Sequence, residues 1–198
     1  RNWIPAEIDK PVVLRVSGGQ SILKELSNEI ITTSIEDAIR INASAITCSV
    51  YIGGEYEKQS IENLSRIVNE GQNYGIPVLA VTAVGKEMVR DAKYLGLACR
   101  ICVVIGAHMV KTYYCESGFD KIVEACGNVP VIIAGGKKIK ERAALKMAKD
   151  AIDAGAAGVD MGRNIFQSDN PIGMIKAVRS VVHEGASIEE AFKIYKKR

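Results

Sequence analysis

Short apolar runs alternate with amphipathic stretches along the whole chain, recurring about every thirty residues, and few architectures accommodate that rhythm. The runs are Pro11-VVLRV-Ser17, Ala45-ITCSVYI-Gly53, Pro77-VLAVT, His108-MVKTYY, Pro130-VIIAGG and Ala157-GVDMG. Each is a continuous apolar run, as expected of parallel strands covered on both faces. Helical patterns lie between them. Ser60–Gly71 has a capping serine and a terminal glycine, and Lys86–Ile105 and Lys138–Ala154 follow the same logic. In Pro171–Gly185, proline stands at the first position and Met174, Ile175, Val178, Val181 and Val182 form one stripe. A capping box at Ser187 to Glu190 opens a last short helix. With no linker or low-complexity segment, the pattern predicts one α/β domain over residues 1–198 with a parallel sheet. Six strands by themselves favour an open sheet, because a (β/α)8 barrel needs eight and typically about 250 residues.

The residues that bear chemistry shift that balance toward a barrel. Lys111 stands in the middle of the run His108-MVKTYY, where an ammonium is costly to bury. Burial disfavours the charged form, and a neutral amine is a nucleophile suited to forming a Schiff base with a carbonyl. The plain alternative is a lysine whose head reaches water from the strand end. Two glycine-bearing strand ends follow: Ile133-Ala-Gly-Gly-Lys137, then Asp160-Met-Gly-Arg-Asn164. Gly135, Gly136 and Gly162 would let backbone N–H groups approach a phosphate, with Arg163 and Lys137 adding charge. Lysine, then GG, then GR at the ends of consecutive strands describes a barrel mouth for a small phosphorylated carbonyl compound. Tyr113 shares a strand face with Lys111 and is a candidate for proton transfer.

Other candidates carry less. Lys86, Arg15 and Ser17 follow or end strands and are candidate mouth residues, and Glu116 is a candidate acid or base. Cys99 and Cys102 form a C-x-x-C inside the helical stretch GLACRICVVIG, which reads as helix packing. Cys115 neighbours Lys111, but the chemistry indicated is that of an amine. The five cysteines are odd in number and irregularly spaced, which fits a reducing cytoplasm better than a disulfide framework. The net charge of +3 comes from 26 basic and 23 acidic residues spread along the chain, so no basic stripe points to nucleic acid. No apolar run approaches a membrane span. His108 and His183 lack ligand spacing, so no metal is expected.

The segments VKTYY, VIIAGGKK and GVDMGRNIFQSDNP, with MIKAV…VVHEG after them, resemble the bacterial class I aldolases of the DhnA type. The likeness extends over nearly the whole chain, including LRVSGG, LSNE, VYIGGEYEKQSI, AVTAVGKEMVRD and GFDKIV. The resemblance implies a (β/α)8 TIM barrel, with Lys111 as the Schiff-base lysine and Gly135, Gly136, Gly162 and Arg163 in the phosphate site. YIGGEYE together with KTYY points to the branch that degrades phosphorylated autoinducer-2. That branch cleaves a phosphorylated dione and transfers acetyl to coenzyme A, giving dihydroxyacetone phosphate and acetyl-CoA. Coenzyme A would be a co-substrate, no bound cofactor is implied, and a homo-oligomer is. Members of the family carry two further N-terminal strands, the first ending in an Asp-His-Gly motif that nothing here matches. The expectation is therefore a barrel lacking its first two strands, in a chain that begins with Arg1. A class I phospho-sugar aldolase, a non-catalytic phosphate-binding remnant and a flavin-binding barrel remain open as alternatives.

Overall fold

A computed structural model describes residues 9–19, 26–84 and 89–197. Six parallel strands form one sheet: β1 (Val13–Arg15), β4 (Ala45–Ile52), β5 (Val78–Val84), β6 (Met109–Tyr113), β7 (Val131–Ala134) and β8 (Gly158–Asp160). They lie side by side in that order, so every crossover joins neighbours. Crossovers of one hand between successive parallel neighbours place all the helices on one face of the sheet. The fold is that of a curled (β/α)8-type sheet carrying six of the eight strands, with β1 and β8 at its edges among the described residues. A small antiparallel pair, β2 (Ser17–Gly18) with β3 (Ile30–Ile31), follows β1.

The connecting helices are α1 (Ile35–Arg40), α2 (Glu57–Tyr74), α3 (Ala92–Ile105), α4 (Phe119–Cys126), α5 (Glu141–Asp153), α6 (Arg163–Phe166), α7 (Pro171–Glu184) and α8 (Ile188–Lys196). Residues of alternate parity, Ile46, Cys48, Val50, Val78, Ala80, Val110, Val131 and Ile133, pack against Leu64, Ile67, Leu95 and Leu145 and form the core. The other parity carries Arg15, Ser49, Tyr51, Val81, Lys111, Tyr113, Ala134 and Asp160 to the concave face. This period-2 division puts the chemistry on one side of the sheet and the packing on the other.

Several helix boundaries differ from the sequence reading. Ser60 does not cap α2; the helix begins at Glu57, and Ser60 is buried inside it, accepting a 3.0 Å bond from the Tyr51 amide. Gly71 does not end α2 either. It is buried where a Cβ would sit 2.7 Å from the Ile76 carbonyl oxygen, and termination falls to Gly75 at φ +70°. Helix α3 starts six residues later than expected, capped by Asp91, and residues 85–88, including Lys86, lie outside the described residues. Proline at the start of α7 and the Ser187–Glu190 capping box of α8 stand as read. The stripe of α7 divides: Met174, Val178 and Val181 are buried, whereas Ile175 is exposed. Ile175 borders a groove of ≈ 390 Å³ at the β8 edge, lined also by Ile132, Val159, Met161 and Val178.

Candidate active site

Lys111 occupies the centre of β6, in a register row that runs Ser49, Val81, Lys111, Ile132, Gly158 from β4 to β8. Burial along β6 alternates, with Val110 and Thr112 buried toward the helices and Lys111 directed to the concave face. The deeply buried amine expected from the apolar run is corrected accordingly. The Lys111 side chain is 20% exposed, and Nζ donates to Asp160 Oδ2 at 2.6 Å. Among the described strands it is the sole lysine. Asp160 lies two strands away and one face-step higher, in the row of Tyr113 and Ala134. The long lysine therefore reaches diagonally past the small Ala134. Asp160 escaped the sequence reading, although the cost of an acid in the apolar run AAGVDMG is the signal that singled out Lys111.

The two glycine loops come together beyond β7 and β8. Gly135 is buried against Met161, where an added Cβ would lie 2.9 Å from the Met161 Cα, so this glycine is dictated by strand-end packing. Gly136 has φ +65° and open space on its side-chain side. Gly162 precedes α6, and Arg163, its first residue, is exposed, as is Lys137. Buried Asn164 ties the loops to each other. Its Nδ2 donates to the carbonyls of Gly135 and Lys137, and its Oδ1 accepts from the Ile139 amide at 2.9 Å. The sequence reading missed Asn164 in its bonding role. A buried amide beside GR is legible only once the partner loop is in place.

Tyr113 shares the Lys111 face, and the Arg90 guanidinium lies 4.1 Å from its ring centroid, a cation–π contact at the site's edge. At the β1–β4 side, Arg15 and Ser17 meet around Glu29, which is 1% exposed. Arg15 donates to Glu29 and to Ser49 Oγ, while Ser17 Oγ (2.7 Å) and Tyr51 Oη (2.9 Å) donate to the two Glu29 oxygens. The Glu29 carbonyl accepts from Asn63 Nδ2 at 2.8 Å. This network explains why a carboxylate is tolerated in the interior.

Cys115 is no ready nucleophile. Desolvation, together with the charges of Asp91 and Asp120, holds its thiol above the ordinary value of 9.0, and its Sγ donates to the Ser117 carbonyl. Cys99 and Cys102 are free thiols packed inside α3. His108 accepts the Val78 amide at Nδ1, and His183 borders the groove beside α7. Glu116 is exposed beyond the end of β6. Among the described residues, no three His, Cys, Asp or Glu gather as metal ligands, and no described helix is long and apolar enough to cross a membrane.

Residues 5–168 match the family model for DeoC/LacD family aldolases. An uncharacterised aldolase of Pasteurella multocida is 56% identical over 195 residues, which cover 98% of this chain and 67% of that protein. A 3-hydroxy-5-phosphonooxypentane-2,4-dione thiolase of an Enterobacter species is 56% identical over 98% of this chain and 66% of its own length. One of Escherichia coli is 54% identical, over 98% and 67%. The chain thus spans about two thirds of the length of these curated relatives. The crystal structure of an archaeal fructose 1,6-bisphosphate aldolase superposes with a TM-score of 0.86 at 26% identity, over 93% of this chain and 75% of that one. Another archaeal fructose-1,6-bisphosphate aldolase, with its catalytic lysine covalently bound to the carbinolamine intermediate, gives a TM-score of 0.81 at 26% identity, over 87% and 71%.

Proposed function

The chain belongs to the DeoC/LacD family of aldolases, and on that premise we propose that it cleaves a carbon–carbon bond of a small phosphorylated ketone through an imine on Lys111. One observation carries the reading: Lys111, the one lysine in the described strands, projects from the concave face of β6, beside the paired glycine loops beyond β7 and β8. Gly136 and Gly162 give backbone amides access to the substrate phosphate, Gly135, whose own amide is taken by the Asp160 carbonyl, shapes the strand end that carries them, and Lys137 and Arg163 add positive charge around it. With the phosphate held there, the ketone carbon one or two atoms away is presented to Lys111 Nζ. The iminium withdraws electrons, so the bond between its α and β carbons breaks with its pair delocalised as an enamine. Tyr113, on the same face, is proposed to assist proton transfer.

The relatives named as thiolases support a finer reading, in which the substrate is a phosphorylated 2,4-dione. The imine forms at the carbonyl nearest the phosphate, coenzyme A attacks the distal acetyl carbonyl, and the bond between the fragments breaks. Acetyl-CoA leaves, the enamine left on Lys111 takes up a proton at carbon, and hydrolysis of the resulting iminium releases dihydroxyacetone phosphate. A second reading, a phospho-sugar aldolase with an aldehyde as acceptor, is favoured by the superposition on the archaeal fructose 1,6-bisphosphate aldolase. Production of acetyl-CoA from the dione separates the two.

The primary test is borohydride trapping with dihydroxyacetone phosphate, followed by peptide mass spectrometry. The expected result is one adduct on Lys111 that is absent from Lys111→Met. An adduct on another lysine, or none on folded protein, overturns the assignment.

A further inference from the structure

We propose that Asp160 is a second catalytic residue, the proton carrier that works on Lys111 Nζ during imine formation. The proposal rests on the reading of Lys111 given above and adds a group to it. Imine chemistry needs more than an amine. The ammonium must lose a proton before attack, and the carbinolamine must then lose its hydroxyl as water. Both transfers take place at Nζ or two bonds from it, so the carrier has to sit in hydrogen-bond contact with it.

Asp160 meets that requirement, with Oδ2 at 2.6 Å from Nζ. Its place is fixed from two sides. Strand pairing aligns it with Ala134, and its carbonyl accepts the Gly135 amide at 3.1 Å. Its neighbour Met161 is held against Gly135, whose lack of a side chain permits the close approach. The carboxylate is 52% exposed on the concave face, so it is open to the space where a ketone would meet the amine. The other nearby groups are less suited. Tyr113 lies under the Arg90 guanidinium, and the Cys115 thiol is held in its neutral form by burial.

The steps balance without any further reagent. Asp160 takes one proton from the ammonium, leaving a neutral amine and a neutral acid. The nitrogen lone pair forms the C–N bond while the carbonyl π pair moves to oxygen, which takes the proton back from Asp160. The carboxylate then removes a second proton from nitrogen and delivers it to the carbinolamine hydroxyl. The C–O bond breaks, water leaves, and the nitrogen lone pair completes the iminium. The carboxylate ends as it began. A carboxylate is a far weaker base than an amine in water, so the first transfer is uphill there. A substrate that expels water from around the pair favours the two neutral forms.

The test is the wash-out of ¹⁸O from the ketone of labelled dihydroxyacetone phosphate, measured above the protein-free rate. This exchange requires carbinolamine dehydration and no acyl acceptor. Wild-type protein exchanges the label, and Lys111→Met does not. Asp160→Asn, nearly isosteric, is expected to be at least ~100-fold slower while binding dihydroxyacetone phosphate within a few-fold of wild type, with Asp160→Glu recovering part of the rate. Wild-type exchange with an unchanged rate in Asp160→Asn leaves Lys111 in its role and reduces Asp160 to a structural ion pair. Loss of binding equal to the loss of rate makes Asp160 a binding residue and overturns the proposal. Absence of exchange in folded wild-type protein removes the Lys111 reading, and this one with it.

Discussion

Adjacent glycines at 135 and 136 do different work, and substitution separates the two roles. A Cβ on Gly135 meets the Met161 backbone at 2.9 Å, so one strand end must move away from the other. Gly135→Ala is expected to cost about 1–3 kcal/mol through overpacking and to weaken phosphate binding, because Asn164 anchors on the same carbonyl. Gly136 has open space around it, and alanine there meets only the backbone penalty of φ +65°, about 1–2 kcal/mol. Urea unfolding with a parallel measurement of inorganic phosphate affinity checks both. Comparable phosphate affinities in the two variants would show that the Met161 contact does not shape the loop. Glu29 illustrates the same economy of a single residue: one buried carboxylate organises Arg15, Ser17 and Tyr51 on the far side of the concave face.

At the scale of the element, α8 shows how a short helix is held at its start. Ser187 Oγ accepts the Glu190 amide, and the Glu190 carboxylate accepts both the Ser187 amide (2.9 Å) and its hydroxyl (2.7 Å). The bonds from Ser187 hold the Glu190 carboxyl below its ordinary value of 4.5. Its folded value is the lower one, so its contribution is complete above about pH 4.5 and fades as pH falls through the folded value. Amide protection over residues 188–196, taken relative to the intrinsic exchange rate at each pH, is therefore expected to fall as acid is added through that range. Ser187→Ala should show lower protection at neutral pH and a smaller further loss in acid, since its cap is already broken, at a cost of ~1 kcal/mol. An identical acid response in both proteins would remove Glu190 from the account.

For the whole molecule, the order of strands sets the distribution of stability. β5 is paired along its whole length with β4 and part of its length with β6, whereas β1 and β8 have one sheet partner each among the described residues. Hydrogen exchange in this chain is expected to be slowest in β4, β5 and β6 and fastest in the two edge strands. Protection of β8 matching that of β5 would mean that another element covers the edge beside α7. The candidate site lies toward the β8 side of this gradient, since Asp160 ends that strand and the glycine loops adjoin it.

Much of this was legible in the chain itself, because local physics governs it. Continuous apolar runs and intervening amphipathic stretches specify parallel strands and covering helices, and proline at 171 and the box at 187–190 mark helix starts through backbone bonding that needs no distant partner. Lys111 was visible because a charge in an apolar strand is costly in any fold. Ser60 and Gly71 misled for the opposite reason: each resembles a local signal, but tertiary neighbours use it, one to bond the Tyr51 amide and the other to let Ile76 approach. The Lys111–Asp160 pair, the Asn164 bridge and the Glu29 network join residues separated by 49, up to 29 and 12 to 34 positions. Strand order and register alone bring such groups within bonding distance. The sequence thus determined which residues bear charge and which segments become strands, and tertiary structure decided which charges meet.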